Sequence, residues 1–391
     1  MEPLRIGIIL NYKKAEKKKD ELLNVNSNKL SWMKHAIRSK HSRSGILHSD
    51  LLIKKGKSLF APDDVAIGIY IESMYPNVII DYITPDEIST RRFKKNHIVL
   101  VIIYDLLESF HLSDPTNFKK YKNALKNSNN VYPPYEYQKF INNKCKYYRY
   151  LADKDVPVAP TYCVSREKLL KRNPNEYVNR LISKINNNKW ESIIAKPVYG
   201  QESIDFAKFM KCGTTQPGIG LGCNKKRMVN YFSRTIPKYK EVVIQEYING
   251  FDKNNPEYRT FFINGQYMYT IVTTDKKVSA PVQEGGKFKV PEEVYRYVIR
   301  FAQGVMDILP KLDLPGEYSS PIVTRIDIGS GLEDVPHNLF INEIEFVPSL
   351  YVDELNPDRY PVIPKIAESL VDIALEYYRY PKLPVKVSFN E

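Results

Sequence analysis

Glu343 and Glu345 stand two residues apart in LFINEIEFVPS (339–349), a run otherwise dominated by Leu, Phe, Ile and Val. Residues two apart on a strand point to the same face, so two carboxylates would project side by side from a segment of buried character. Asp327 lies in a second apolar run, IVTRIDIG, which reads as the paired strand. Three carboxylates facing one another repel unless a cation sits among them, and an uncompensated charge in apolar surroundings is costly. Oxygen ligands with no His or Cys alongside suit Mg²⁺ or Mn²⁺ better than zinc. A salt bridge to Lys or Arg would satisfy the same acids, and spacing alone leaves both readings open.

Two lysines have the opposite chemistry. Lys196 ends the apolar run IIA and is followed by Pro197 and the turn VYGQES, where Gly200 and Ser203 would let backbone amides approach an anion that the lysine also reaches. Lys144 lies on a helix ahead of VPVAP. Taken singly, each reads as a surface lysine.

The elements that must position these groups follow from length and pattern. A chain of 391 residues is long for one core and suggests two or three domains. Its 43% hydrophobic content and 12% aromatics describe an ordered globular protein. No run approaches the ~18 apolar residues of a membrane span, and no basic stretch with a cleavage site precedes PLRIGIIL, so neither a membrane segment nor a signal peptide is expected. Cys145, Cys163, Cys212 and Cys223 lack CxxC spacing and read as free thiols in a reducing, cytoplasmic setting; a Cys212–Cys223 bridge is the weighed alternative. The net charge of +13 favours an anionic partner, but much of the excess is diffuse, as in KKAEKKKDE (13–21).

Nearly continuous apolar strands (RIGIIL, NVIIDYI, HIVLVIIYD) alternate with helices (KLSWMKHAIRSKH, then DDVAIGIYIESM at 63–74, read as amphipathic and begun by an Asp cap) in the first ~130 residues. That alternation predicts an α/β domain with a parallel sheet. No GxGxxG follows the first strand, which argues against a dinucleotide fold. The Pro-rich YPPYEYQ marks a boundary near 135. Beyond it the pattern turns to α+β: the strands ESIIAKPV and EVVIQEYI, an Asn-Gly hairpin in EYRTFFINGQYMYTIVT, an amphipathic helix at 291–309, the acid-bearing strands and a closing helix. We expect units at 1–135, 136–240 and 241–391.

The order of these features (helix lysine, VPVAP, strand Lys-Pro, glycine turn, QEYI, EYR, RID, NEIEFVPS) resembles the ATP-grasp superfamily over residues 136–350. The resemblance implies an ATP-grasp fold behind an N-terminal α/β domain, with ATP and Mg²⁺ (or Mn²⁺) as cofactors. By position, Lys144 and Lys196 would contact the nucleotide phosphates, with Asp155 where the superfamily usually has glycine. Gln245 and Tyr247 would offer backbone groups to adenine, flanked by Glu246 and Ile248, and Glu257 would take the ribose hydroxyls. Arg325 would neutralise the transferring phosphoryl group; Asp327 and Glu343 would hold metal, with Glu345 in place of the usual asparagine. The loop after Lys196 departs from the glycine- and serine-rich pattern, having only Gly200 and Ser203. Arg259 is a candidate grip for a substrate carboxylate or a structural partner of a nearby acid. Lys276 and Lys277 lie in TTDKKVSAPVQEGGKFKVP, a lid or an exposed loop.

The implied activity is ligation of a carboxylate to an amine through an acylphosphate, with small-molecule or peptide substrates. A superfamily kinase acting on a hydroxyl of a polyanionic small molecule such as an inositol phosphate is the alternative. A non-enzymatic nucleic-acid-binding module would leave the three acids unexplained, and neither nucleic acid nor membrane is expected as a partner. Self-association into a homodimer is left open.

Overall fold

The computed structural model describes the chain apart from residues 1, 11–21, 28–29, 102–114, 172, 200–204, 211–221, 236–237, 250, 252–254, 275–276, 282–284, 315–317, 353–354, 381–385 and 390–391. The fold is mixed α/β, built on one parallel sheet and several antiparallel ones.

The first sheet joins β1 (Leu4–Ile9), β2 (Val78–Ile83), β3 (Ile98–Leu100) and β4 (Val131–Tyr132) in the order β2-β1-β3-β4, all parallel. Apolar side chains on both faces of β1 require cover on both faces. Helix α1 (Asp63–Met74) supplies part of it and packs on β2, closely enough that a Cβ on Gly68 would stand 2.5 Å from the Tyr82 hydroxyl. The amphipathic, Asp-capped helix expected here differs from the one observed. Ten consecutive residues, Asp63 to Glu72, are buried, and the N-cap is Pro62 with no side-chain cap. The reason is that α1 lies between β2 and the chain's closing helix, Val362–Arg379, so no face is left for water.

The second sheet is antiparallel. Helix α2 (Lys144–Ala152) precedes it, started by Asn143, whose side chain accepts from Lys146 N–H at 2.9 Å. Strand β5 (Thr161–Ser165), helix α3 (Pro174–Asn187), β6 (Ile193–Pro197), β7 (Ala207–Phe209), helix α4 (Lys225–Thr235) and β8 (Glu241–Glu246) follow, with strand order β7-β6-β8-β5. Val178, Leu181 and Ile185 of α3 and Met228 and Phe232 of α4 form with this sheet a core separate from the main one.

The third sheet carries the acids. Strands β9 (Glu257–Ile263) and β10 (Gln266–Thr274) form the expected hairpin, in which Asn264 and Gly265 adopt φ of +51° and +74°. Strand β11 (Lys277–Ser279) extends it; helix α5 (Glu292–Ile308) packs against it; β12 (Val323–Ser330) and β13 (Leu339–Glu345) complete the order β11-β10-β9-β12-β13. Helix α6 (Val362–Arg379) then returns to α1 and β1, on the first sheet rather than the one it follows in sequence.

The cysteines require a correction. Cys145 on α2 is bonded to Cys163 on β5, with Cα atoms 5.8 Å apart, and Cys223 is disulfide-bonded too. Cys212 lies outside the described residues. Sequence separation concealed the first pair: helix α2 and strand β5 are brought side by side only by the fold. The free-thiol argument for a reducing compartment therefore loses its premise. Among the described residues no helix is long and apolar enough to cross a membrane.

Candidate active site

The acids meet because of register. Antiparallel pairing sets Asp327 opposite Glu343 and Arg325 opposite Glu345 between β12 and β13, while β9 sets Arg259 opposite Asp327. One carboxylate oxygen from each of Asp327, Glu343 and Glu345 lies within 4.8 Å of the others. The pairing also skips a residue: Asp327 faces Glu343 but Ile328 faces Ile341, so Asn342 is a bulge with no opposite number on β12. Bulges re-aim side chains and recur beside active sites. Here the bulged Asn342 donates its amide to Glu257 Oε1 at 2.7 Å.

Each acid is held by a base. Arg325 grips Asp327 with two parallel bonds, Nε to Oδ1 and Nη2 to Oδ2, both 2.7 Å, and its Nη2 lies 3.0 Å from Glu345 Oε1. Lys144 Nζ donates to Glu343 Oε1. Arg259 binds Glu257 Oε2 through Nε and Nη2, both 3.0 Å, and donates through Nη1 to the Tyr351 hydroxyl. Tyr351 adopts φ +52°, uncommon for a bulky residue. Lys196 Nζ donates to the Tyr148 hydroxyl at 3.0 Å. The cluster thus sets four acids beside four bases in a largely dry setting: Arg325 and Asp327 are 6% and 2% exposed.

Burial and crowding set the ionisation. Burial pushes the Asp327 carboxyl up to about 6, against the pull of Arg325. Burial also pushes Glu345 up to about 7, against Arg325 and with the help of the Glu343 and Asp327 charges. Glu343 moves the other way: burial raises it, but Lys144, Lys196 and Arg325 outweigh that and hold it below its ordinary value. Burial therefore outweighs the nearby positive charge at Asp327 and Glu345 but not at Glu343.

A divalent cation suits this donor set. Three carboxylates converge with no His or Cys among them. Although Arg325 and Lys144 each take bonds, Glu343 and Glu345 keep a second oxygen with no protein partner among the described hydrogen bonds. Of the two readings left open by spacing, the salt bridges are present.

No protein-family model and no curated protein sequence matches the chain. Solved structures do. D-cycloserine synthetase DcsG matches at 15% identity over 75% of this chain and 90% of that one, with a TM-score of 0.51. The D-alanine–D-alanine ligase from Bacillus anthracis, in complex with ATP, matches at 11% identity over 97% and 98%, with a TM-score of 0.51. D-alanyl-alanine synthetase A from Vibrio cholerae matches at 11% identity over 96% and 99%, with a TM-score of 0.54. The chain has the ATP-grasp fold.

In an ATP-grasp frame the remaining expected residues separate into those brought together and those not. Asp327, Glu343, Glu345, Arg325, Lys144, Lys196, Arg259 and Glu257 form the cluster just described. Gly200, Ser203 and Lys276 lie outside the described residues. Lys277 is exposed and begins β11, paired with Thr274, so this end of the anticipated lid is sheet. Glu257 accepts from Arg259 and Thr273 on Oε2 and from Asn342 on Oε1, so Oε1 retains capacity for one more donor. Arg259 takes the structural alternative, an ion pair with Glu257.

In the hinge segment QEYI the sheet engages the backbone of two of the expected residues. Gln245 pairs with Ile194 of β6, and Tyr247 N–H donates to Ser192 O at 2.9 Å, so these backbone groups serve the sheet. Glu246 faces the other way, its N–H donating to Pro160 O at 2.9 Å. An antiparallel pair would return a bond from the N–H of residue 160, which proline lacks. Among the described residues the ladder thus offers the Glu246 carbonyl no donor at position 160, because VPVAP places a proline there.

Sequence reasoning missed Tyr148, Asn342 and Tyr351. Tyr148 had a signal, since it stands four residues after Lys144 on a helix and so shares its face. Asn342 and Tyr351 had none, because a bulge and a positive φ are set by tertiary pairing.

Proposed function

We propose that the chain is an ATP-dependent ligase that activates a carboxylate as an acylphosphate and couples it to an amine, releasing ADP and phosphate. The observation that carries this reading is the strand register that gathers Asp327, Glu343 and Glu345 oxygens within 4.8 Å beside Arg325 and the two lysines. Phosphoryl transfer asks mainly for positioning and charge stabilisation, and this cluster offers both signs of charge in a low-dielectric setting.

Asp327, Glu343 and Glu345 would hold Mg²⁺ or Mn²⁺, which supplies neutralisation of triphosphate charge. Lys144 and Lys196 would bind phosphate oxygens. Arg325 would face the transferring group, kept rigid by its two bonds to Asp327. The Glu246 carbonyl would accept from the adenine amino group and the Ile248 N–H, two residues on, would donate to the ring. Glu257 keeps Arg259 oriented, and the strained Tyr351 fixes that guanidinium's remaining edge. Small-molecule or peptide carboxylates and amines remain the substrate class, units divide near 135 and 240, and the need for ATP supports a cytoplasmic location.

The test is nucleotide consumption against pooled organic acids, amino acids and amines with Mg²⁺. The ligase reading expects ADP and inorganic phosphate in equal amounts, and only when an acid and an amine are both present. ADP without free phosphate, the phosphate remaining on a substrate hydroxyl, would instead mean a kinase.

A further inference from the structure

Helix α2 carries two residues of one face into the site. Lys144 reaches Glu343 on β13; Tyr148, one turn on and 2% exposed, has its hydroxyl between Lys196 Nζ at 3.0 Å and the Asn342 backbone carbonyl. The direction of this chain follows from chemistry. An ammonium only donates and a carbonyl only accepts, so the Tyr148 oxygen accepts from Lys196 and its proton goes to Asn342. That carbonyl is available because Asn342 is the bulged residue of β13. A neutral phenol thereby links a lysine of the second sheet to the strand of the third sheet that bears the acids. Lys196 also stands near enough to Glu343 to stabilise its negative charge, and Glu343 has an oxygen without a protein partner among the described bonds.

We propose that Tyr148 is a positioning residue that holds the Lys196 ammonium away from Glu343, keeping the lysine charge for a phosphate and the Glu343 oxygen for a metal ion. The proposal rests on the ligase reading's roles for Lys196 and Glu343. A lysine stem has several rotatable bonds, and a bare ammonium beside an open carboxylate oxygen closes onto it, cancelling both charges. A phenol oxygen accepts the same hydrogen bond and cancels nothing.

The experiment measures Mn²⁺ binding to nucleotide-free protein by electron paramagnetic resonance, and binding of a non-hydrolysable ATP analogue by calorimetry. It compares wild type, Tyr148→Phe, Lys196→Met and the double variant, with thermal unfolding as a check of folding. Tyr148→Phe is expected to weaken Mn²⁺ binding on the order of tenfold, because the released lysine competes for Glu343, and to weaken analogue binding as well. In the Lys196→Met background, Tyr148→Phe should leave Mn²⁺ affinity unchanged, since the competitor is gone. Equal Mn²⁺ loss in both backgrounds would overturn the proposal, as would Tyr148→Phe behaving like wild type. A wild-type protein that binds neither Mn²⁺ nor the analogue would overturn the ligase reading itself, and with it this role.

Discussion

The pair Lys144–Glu343 should separate stability from activity. Its side chains are 7% and 22% exposed, and it ties α2 to β13 across 199 residues of sequence. Breaking a buried ion pair from one side costs about 3–5 kcal/mol, chiefly because a charge is left without a partner. Glu343 is about one-fifth open to water, and Lys144 would retain some solvation, so Glu343→Gln should destabilise by roughly 2 kcal/mol, below that range. Adding Lys144→Met removes the charge that lost this counter-ion, and the double variant should be less destabilised than the two single costs added together. Turnover should do the opposite: Glu343→Gln removes a proposed metal ligand, Lys144→Met a proposed phosphate ligand, and the double variant should be the least active. Denaturant unfolding monitored by tyrosine fluorescence, alongside an ADP-release assay across Mg²⁺ concentrations, reads both quantities. Destabilisations that simply add would refute the coupling. Full activity of Glu343→Gln with unchanged Mg²⁺ dependence would refute the metal assignment.

Three further outcomes are expected. Glu345→Asn removes one of three site carboxylates and should weaken Mn²⁺ binding about tenfold in the absence of nucleotide, checked by the same resonance measurement. His48 is buried between the Ser39 carbonyl (2.6 Å) and Glu72 (2.9 Å); burial lowers its pKa, but these two partners outweigh that and hold it above the ordinary value. A group raised on folding stabilises below its unfolded pKa and loses that contribution as pH rises through the folded one, so His48 should contribute more stability at pH 6 than at pH 8, and the stability difference between wild type and His48→Gln should shrink as pH rises between them. Cys145 and Cys163, 18 residues apart, should resist alkylation until reduced, and Cys145→Ser should cost about 3 kcal/mol of stability if the reduced chain gains the corresponding loop freedom.

What the sequence revealed and what it hid divide along the range of the forces involved. The strands and helices were legible because burial stamps a period of two or of 3.6 on local sequence, and Asn264-Gly265 announces its turn because few other residue pairs tolerate two positive φ values in succession. The acids were legible for a related reason: charge inside an apolar run is an anomaly that needs a partner. Which partner was not legible. Metal and salt bridge were weighed as rivals, yet Arg325 holds Asp327 and Glu345 while Glu343 and Glu345 each keep one oxygen without a partner among the described hydrogen bonds. Register decided that outcome, and register depends on the one-residue slip at Asn342, which no local periodicity records. The hinge shows the same limit from the other side. QEYI by itself cannot say which carbonyls are spent; Pro160, 86 positions before Glu246, decides it by lacking a hydrogen. Residue types therefore named the chemistry, while the identity of each open oxygen and committed amide was written only in pairings between segments distant in sequence.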